Sequence, residues 1–253
     1  MEANEIFQIA NHFDLKSVIT AVSPFGGGHI NDTFRVETEN QKNYILQKIN
    51  KNVFKQPLHV IQNIERLLMH FAEKGDKSLQ TFATKSGEKF YVDSNQDFWR
   101  MYNFVEGANS YEVIQNKSQA YQAAKAFGSF QLKALDLNSS DFNETIPNFH
   151  HLGKRYEKFD LVLQANPKNR AEFLETEISF VQKQRKIAVD VLDLIASGQL
   201  PIRVTHNDTK LNNALLNNES GKAVCVIDLD KEHSLACADP RGCKGCTMSK
   251  SKK

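Results

Sequence analysis

The segment His206-Asn207-Asp208-Thr209-Lys210-Leu211-Asn212-Asn213 sets a carboxylate five residues before a carboxamide, and Asp228 follows fifteen residues later within Val226-Ile227-Asp228-Leu229-Asp230. Phosphoryl transfer needs three such groups. A carboxylate must sit beside the attacking hydroxyl, while an amide oxygen and another carboxylate hold Mg²⁺ against the phosphates. Asp208, Asn213 and Asp228 take these roles in that order. Any one of them alone would read as a turn or cap residue, because Asp and Asn are common there. Their joint spacing is what points to chemistry. The apolar stretches Ala214-Leu215-Leu216 and Ala223 to Ile227 flank the turn formers Asn217-Asn218-Glu219-Ser220-Gly221, which predicts a hairpin carrying Asn213 and Asp228 to one end.

A second chemical signal lies near the N-terminus, in Pro24-Phe25-Gly26-Gly27-Gly28-His29-Ile30-Asn31. Three consecutive glycines permit backbone conformations and close approaches that other residues block. Glycines also serve simple turns, and a full Gly-x-Gly-x-x-Gly pattern is absent. The elements around this loop read as a short helix over 5–13 and strands near 17–22, 32–37 and 43–49. A helix follows Pro57, with Val60, Ile61, Ile64, Leu67, Leu68 and Phe71 at helical spacing up to Gly75. Strands are expected at 89–93 and 98–105, and Glu106-Gly107-Ala108-Asn109 breaks the pattern. Beyond that break, 119–135 and 171–197 read as long helices. The break therefore divides a sheet region with one packed helix over 1–105 from a mainly helical region over 106–230, ahead of an atypical tail over 231–253.

Composition narrows the class without choosing a reaction. The 253 residues are 40% apolar, enough to bury a sizeable core, and 32 basic against 30 acidic residues leave no strong field for nucleic acid or a membrane surface. No segment approaches the roughly 18 apolar residues of a membrane span, and the acidic start has no signal-peptide pattern, so a cytoplasmic location is expected. Cys225 sits within an apolar strand, whereas Cys237, Cys243 and Cys246 crowd into the last seventeen residues. That is no disulfide framework. Cys243 and Cys246 have metal-ligand spacing, but zinc needs four ligands and the tail adds only Cys237 and His233. Nothing in the sequence sets an oligomeric state.

The catalytic segment with Ile227-Asp228-Leu229-Asp230 resembles the aminoglycoside phosphotransferase and choline kinase superfamily, relatives of the protein kinases. Gly28-His29-Ile30-Asn31-Asp32-Thr33, Tyr44-Ile45-Leu46-Gln47-Lys48-Ile49-Asn50, Trp99-Arg100-Met101-Tyr102 and Ala126-Phe127-Gly128-Ser129-Phe130-Gln131 resemble its N-acetylhexosamine 1-kinase branch. The likeness covers roughly residues 5 to 230. It implies an α+β, bilobal protein-kinase-like fold with an antiparallel-sheet N-lobe and a mainly helical C-lobe. It also implies ATP with Mg²⁺, and transfer to the anomeric hydroxyl of a small acetamido sugar. On that reading Gly26, Gly27 and Gly28 lie over the phosphates, Lys48 binds them and pairs with Glu65, and Tyr102 to Phe104 form the hinge beside adenine. Those aromatics read equally as core, and Lys48 and Glu65 as solvated surface charges. Relatives often carry the basic residue where Gln47 stands, and strand alternation aims Gln47 and Lys48 at opposite faces. Either a bulge turns Lys48 inward or Gln47 serves. Lys210 would set an ammonium beside the transferring phosphate. His29 and Asn31 are the candidate sugar contacts.

After Asp230 the resemblance stops. The remaining residues have few large apolar side chains and end in a basic run, so a solvated, disordered segment is expected there. The family draws further sugar contacts from helices beyond the Mg²⁺ strand, so the C-lobe reads as truncated and helices such as 171–197 as missing part of their cover. A kinase acting on an amino alcohol or an aminoglycoside is the alternative within the enzyme class. An inactive nucleotide-binding fragment is the alternative outside it.

Overall fold

Residues 3–27, 30–231 and 233–236 are described in a computed structural model of the chain. Helix α1 (Ala3–Ala10) precedes strands β1 (Ile19–Pro24), β2 (Asp32–Thr38) and β3 (Asn43–Lys48). Helix α2 (Pro57–Glu73) is followed by β4 (Thr81–Phe82), β5 (Tyr91–Val92) and β6 (Phe98–Asn103). These strands form one antiparallel sheet in the order β1-β2-β3-β6-β4, with β5 also on β6.

Strand alternation divides this sheet into two chemically different faces. Val36, Tyr44, Leu46, Trp99 and Met101 pack with Ile6, Ile9 and Ala10 of α1 on one side. The residues between them, Ile45 and Tyr102 among others, pack with Val60, Ile61, Ile64 and Leu67 of α2. Helix α2 forms where the apolar spacing predicts it. Pro57 occupies its first turn, where a missing N–H is no loss, and Gly75 at φ +83° carries the chain out of it.

After β7 (Ala108–Asn109) comes α3 (Lys117–Lys133), capped by the Asn116 side chain accepting from the Gln119 N–H at 2.9 Å. Strands β9 (Ala214–Asn217) and β10 (Ala223–Val226) form the expected hairpin, and β7 extends it to a three-stranded sheet against α3. These elements and the large sheet belong to one compact unit, Met1–Ile146 with Val204–His233.

Pro147–Arg203 and Ser234–Lys253 make up the other unit. It holds α4 (Leu152–Ala165), α5 (Glu175–Lys183) and α6 (Arg185–Ala196), with β8 (Ile202–Thr205) and β11 (His233–Ala236) starting at its margins. Two differences from the sequence reading stand out here. The single helix expected over 171–197 is broken: Arg170–Phe173 is a 3-10 turn, and the backbone tightens at Gln184 into i,i+3 bonds, Gln184 N to Val181 O at 3.2 Å and Ile187 N to Gln184 O at 3.0 Å. No Gly or Pro marks that break. Helix α4 was not marked in the sequence reading, although Leu152, Tyr156, Phe159 and Leu163 stand at helical spacing in it; the structure buries none of its residues fully. Phe173, Phe180 and Ile187 lie exposed on this unit.

Of the segment expected to be unstructured after Asp230, Lys231 is buried and His233–Ala236 is a strand. The three tail cysteines lie outside the described residues. No helix among the described residues is long and apolar enough to cross a membrane.

Candidate active site

Thr205 ends β8, and the chain turns at Asn207, whose φ of +59° lies in the left-handed region that Asn tolerates. Asn207 holds that turn at both ends of its side chain. Its Oδ1 accepts from the Thr205 hydroxyl at 2.6 Å and its Nδ2 donates to the Lys231 carbonyl at 2.7 Å. His206 is buried against the edges of Phe127 and Phe130. The Asp208 N–H lies 3.3 Å from its Nδ1, so Nδ1 is the acceptor and Nε2 carries the proton, donated to the Ile227 carbonyl at 2.9 Å. One imidazole thus ties the Asp208 loop to the strand that leads into Asp228. Burial pushes its pKa below 6.5, which suits a neutral ring in this bridge.

The 3-10 turn Leu211–Asn213 then delivers Asn213 to the start of β9. Its Nδ2 donates to the Asp208 carbonyl at 2.8 Å, orienting the amide, and its own carbonyl accepts from the Ile227 N–H at 2.9 Å. Asp228 follows β10 at φ +64°, an uncommon conformation for a residue with a Cβ and one that concentrates at functional sites. Its Oδ2 lies 3.5 Å from Asn213 Nδ2. Sequence distance has become proximity, as the hairpin predicted.

The two carboxyls here are pushed in opposite directions. Burial raises the Asp208 pKa, but hydrogen bonds and charge from Lys231 (2.6 Å) and Lys210 (3.1 Å) outweigh it, so the carboxyl titrates below its ordinary range. At Asp228, burial and then the negative charge of Asp230 push the carboxyl above its ordinary range, although Lys210 stands 4.0 Å away. A raised carboxylate beside an oriented carboxamide is a site that a hard cation would relieve. Mg²⁺ takes one or two protein carboxylates and completes its shell with phosphate and water oxygens. That donor set fits, and among the described residues no cluster of three His, Cys, Asp or Glu forms a closed metal cage.

Asp230 looks the other way. It is 1% exposed, and its two oxygens accept from Arg100 Nη2 and Asn31 Nδ2. Asn31 also accepts the Asn50 N–H at 3.0 Å, so both ends of this amide are engaged within the protein rather than presented to a sugar. Gln47 Oε1 accepts from Arg100 Nη2 at 2.9 Å and from Nε at 3.3 Å, and Gln47 Nε2 donates to Thr33 Oγ1 at 3.1 Å.

The Lys48–Glu65 pair expected from the sequence is not formed. Lys48 shares the α1 face with Tyr44 and Leu46, pairs with Asp32 (3.2 Å) and Asp97 (3.5 Å), and lies over the Trp99 ring. Glu65 instead accepts from the Thr81 hydroxyl and meets Lys89 at 3.5 Å. No bulge turns β3, since it pairs with β2 and β6 in unbroken register, so alternation keeps Lys48 opposite Gln47. Tyr102 is buried beside Arg100, and Phe104 packs edge-on to Phe25 of the glycine loop at 5.4 Å. Gly26 has φ +77°, and open space surrounds both it and Gly27. Gly28 and His29 lie outside the described residues.

Sequence reasoning missed Arg100 and Lys231 as members of this region. A charge inside the otherwise apolar run Phe98 to Tyr102 was the available signal for Arg100. Lys231 was read as the first residue of a solvated tail.

Residues 21–232 match the family model described as APH, phosphotransferase enzyme family. A microcompartment-associated aminopropanol kinase is similar with TM-score 0.65 at 14% identity, over 92% of this chain and 70% of its own. An amicoumacin kinase in complex with AMP-PNP and Ca²⁺ gives TM-score 0.60 at 15% identity, over 93% of this chain and 66% of its own. An aminoglycoside phosphotransferase from Alicyclobacillus acidocaldarius gives 0.61 at 14% identity, over 90% and 67%. The likenesses are of fold, and the chain spans about two thirds of the length of the latter two structures.

Proposed function

We propose, because the chain belongs to the phosphotransferase enzyme family, that it transfers the terminal phosphoryl group of ATP to a hydroxyl of a small molecule, and that this acceptor is an N-acetylhexosamine phosphorylated at its anomeric oxygen. The observation that carries the reaction class is Asp208, held ionised beside Asn213 and Asp228 on one end of a hairpin. Bound ATP with Mg²⁺ supplies the phosphoryl group and the neutralisation of its charge. Asp208 accepts the acceptor hydroxyl's proton. Asn213 and Asp228 would hold the cation. Lys210, half-exposed and flanked by Asp208 and Asp228, offers its ammonium where negative charge spreads over the transferred group.

The sugar rests on the resemblance of the strings around Gly28, Tyr44 and Trp99 to one branch of the family. A second reading, an amino alcohol or an aminoglycoside as acceptor, is favoured by the names of the similar structures. A panel of N-acetylglucosamine, N-acetylgalactosamine, their non-acetylated parents, choline, 1-amino-2-propanol and kanamycin, read by ³¹P NMR, separates them. A phosphate ester at the anomeric carbon of an acetamido sugar is the expected product. Esters formed only on the amino alcohols or kanamycin would replace the sugar reading. ATP binding with no ester on any member would leave a nucleotide-binding module.

A further inference from the structure

The face of the sheet that meets Asp230 through Arg100 lacks the lysine that such a site calls for. Lys48 lies on the opposite face, held by Asp32 and Asp97. Gln47, which does face inward, is neutral, and both ends of its amide are engaged by Arg100 and Thr33. Its cross-strand partner in the β3–β6 register is Arg100. That guanidinium is 3% exposed, tied through Nη2 and Nε to Gln47 and Asp230, and near enough to Asp228 to feel its charge. Its Nη1 is buried and has no hydrogen-bond partner. A buried guanidinium donor without an acceptor is costly, and its presence calls for an explanation in function or in an unseen ligand.

We infer that Arg100, and not Lys48, supplies the cation for the nucleotide's phosphates, with Nη1 donating to a phosphate oxygen when nucleotide is bound. The inference rests on the phosphotransferase reading above and adds a binding residue to it. Arginine suits the position because its planar fork holds Gln47 and Asp230 with some N–H groups while presenting another to an oxyanion. The Arg100–Asp230 pair then has two tasks. It fixes the turn that follows Asp228, and it keeps the guanidinium from moving when phosphate is absent.

Calorimetric titration of the full chain with ADP and with adenosine, in the presence of Mg²⁺, tests this. Arg100→Gln alone leaves Asp230 buried without its cation, so the double variant Arg100→Gln/Asp230→Asn, which removes both charges and keeps amide partners for Asn31 and Gln47, is compared beside it. Both are expected to bind ADP about tenfold or more weakly than the unmodified chain, the weight of one charge-assisted hydrogen bond, with adenosine affinity unchanged. ADP affinity restored in the double variant would overturn the inference, since it would make Arg100 only the partner of Asp230. So would a loss of ADP affinity in Lys48→Gln that is absent from both Arg100 variants. If the unmodified chain binds neither ligand, the phosphotransferase reading falls and takes this inference with it.

Discussion

At the scale of single residues, the decisive contrast is between Asp208 and Asp228, two carboxylates on one site with pKa values pushed in opposite directions. Asp208→Asn is expected to lower kcat by about 10² to 10⁴-fold with near-normal Mg-ATP affinity, because a positioned base contributes to the chemical step. Asp228→Ala and Asn213→Ala are expected to weaken Mg-ATP binding instead, measured by calorimetry. Equal loss of both quantities in Asp208→Asn would reassign that residue. Cys225 gives a simpler check: burial pushes its thiol up to about 12, so little thiolate exists at neutral pH. Iodoacetamide should leave the Cys225 peptide unmodified until the chain is unfolded, as peptide mass mapping would record. The His-x-Asp-x-x-x-x-Asn spacing made the cluster of Asp208, Asn213 and Asp228 legible, since local sequence fixes the loop that carries the first two. Arg100 and Lys231 were not legible in the same way, because each gains its place only from a partner more than twenty residues away.

At the scale of elements, α2 sets the inner face of the sheet. Leu67 is 0% exposed and packs with Ile64, Phe71 and Tyr102, so Leu67→Ala should lower the unfolding free energy by about 2–5 kcal/mol. Urea titration followed by circular dichroism measures it. A change below about 0.5 kcal/mol, the range of surface substitutions, would mean the helix does not bear on the core. The strands β1, β2, β3 and β6 and helices α2 and α3 were readable from their apolar periods. The break at Gln184 was not. It comes from tightened hydrogen bonds in a stretch with no helix-breaking residue, whereas helix α4, with Leu152, Tyr156, Phe159 and Leu163 at helical spacing, was legible and went unread. Lys48 shows the sequence reading at its limit. Alternation placed it opposite Gln47, but only the unbroken β3 register decides that no bulge intervenes.

For the whole molecule, protonation couples the site to stability. His206 is held below 6.5, so between its folded value and 6.5 the unfolded chain binds the proton that the folded chain does not. Its contribution to stability is complete above 6.5 and falls as pH drops below it. Asp228 acts with the opposite sign, since its raised folded pKa makes the native state gain the proton first above 3.8. Asp208, depressed, loses its contribution only as pH falls below 3.8. In Asp228→Asn, where the opposing group is gone, the urea midpoint should therefore fall between pH 7.5 and 5.5. A midpoint that rises over this range would contradict the neutral, bridging His206. That bridge also bears on alignment. A misplacement of about 1 Å at a reacting centre can cost roughly 100-fold in rate. With His206 bonded at one nitrogen to the loop of Asp208 and at the other to the strand before Asp228, the gap between these two carboxylates is gauged by the width of one aromatic ring. On the proposed function, the tolerance of the reaction is set locally by an imidazole that stands outside its proton and cation steps.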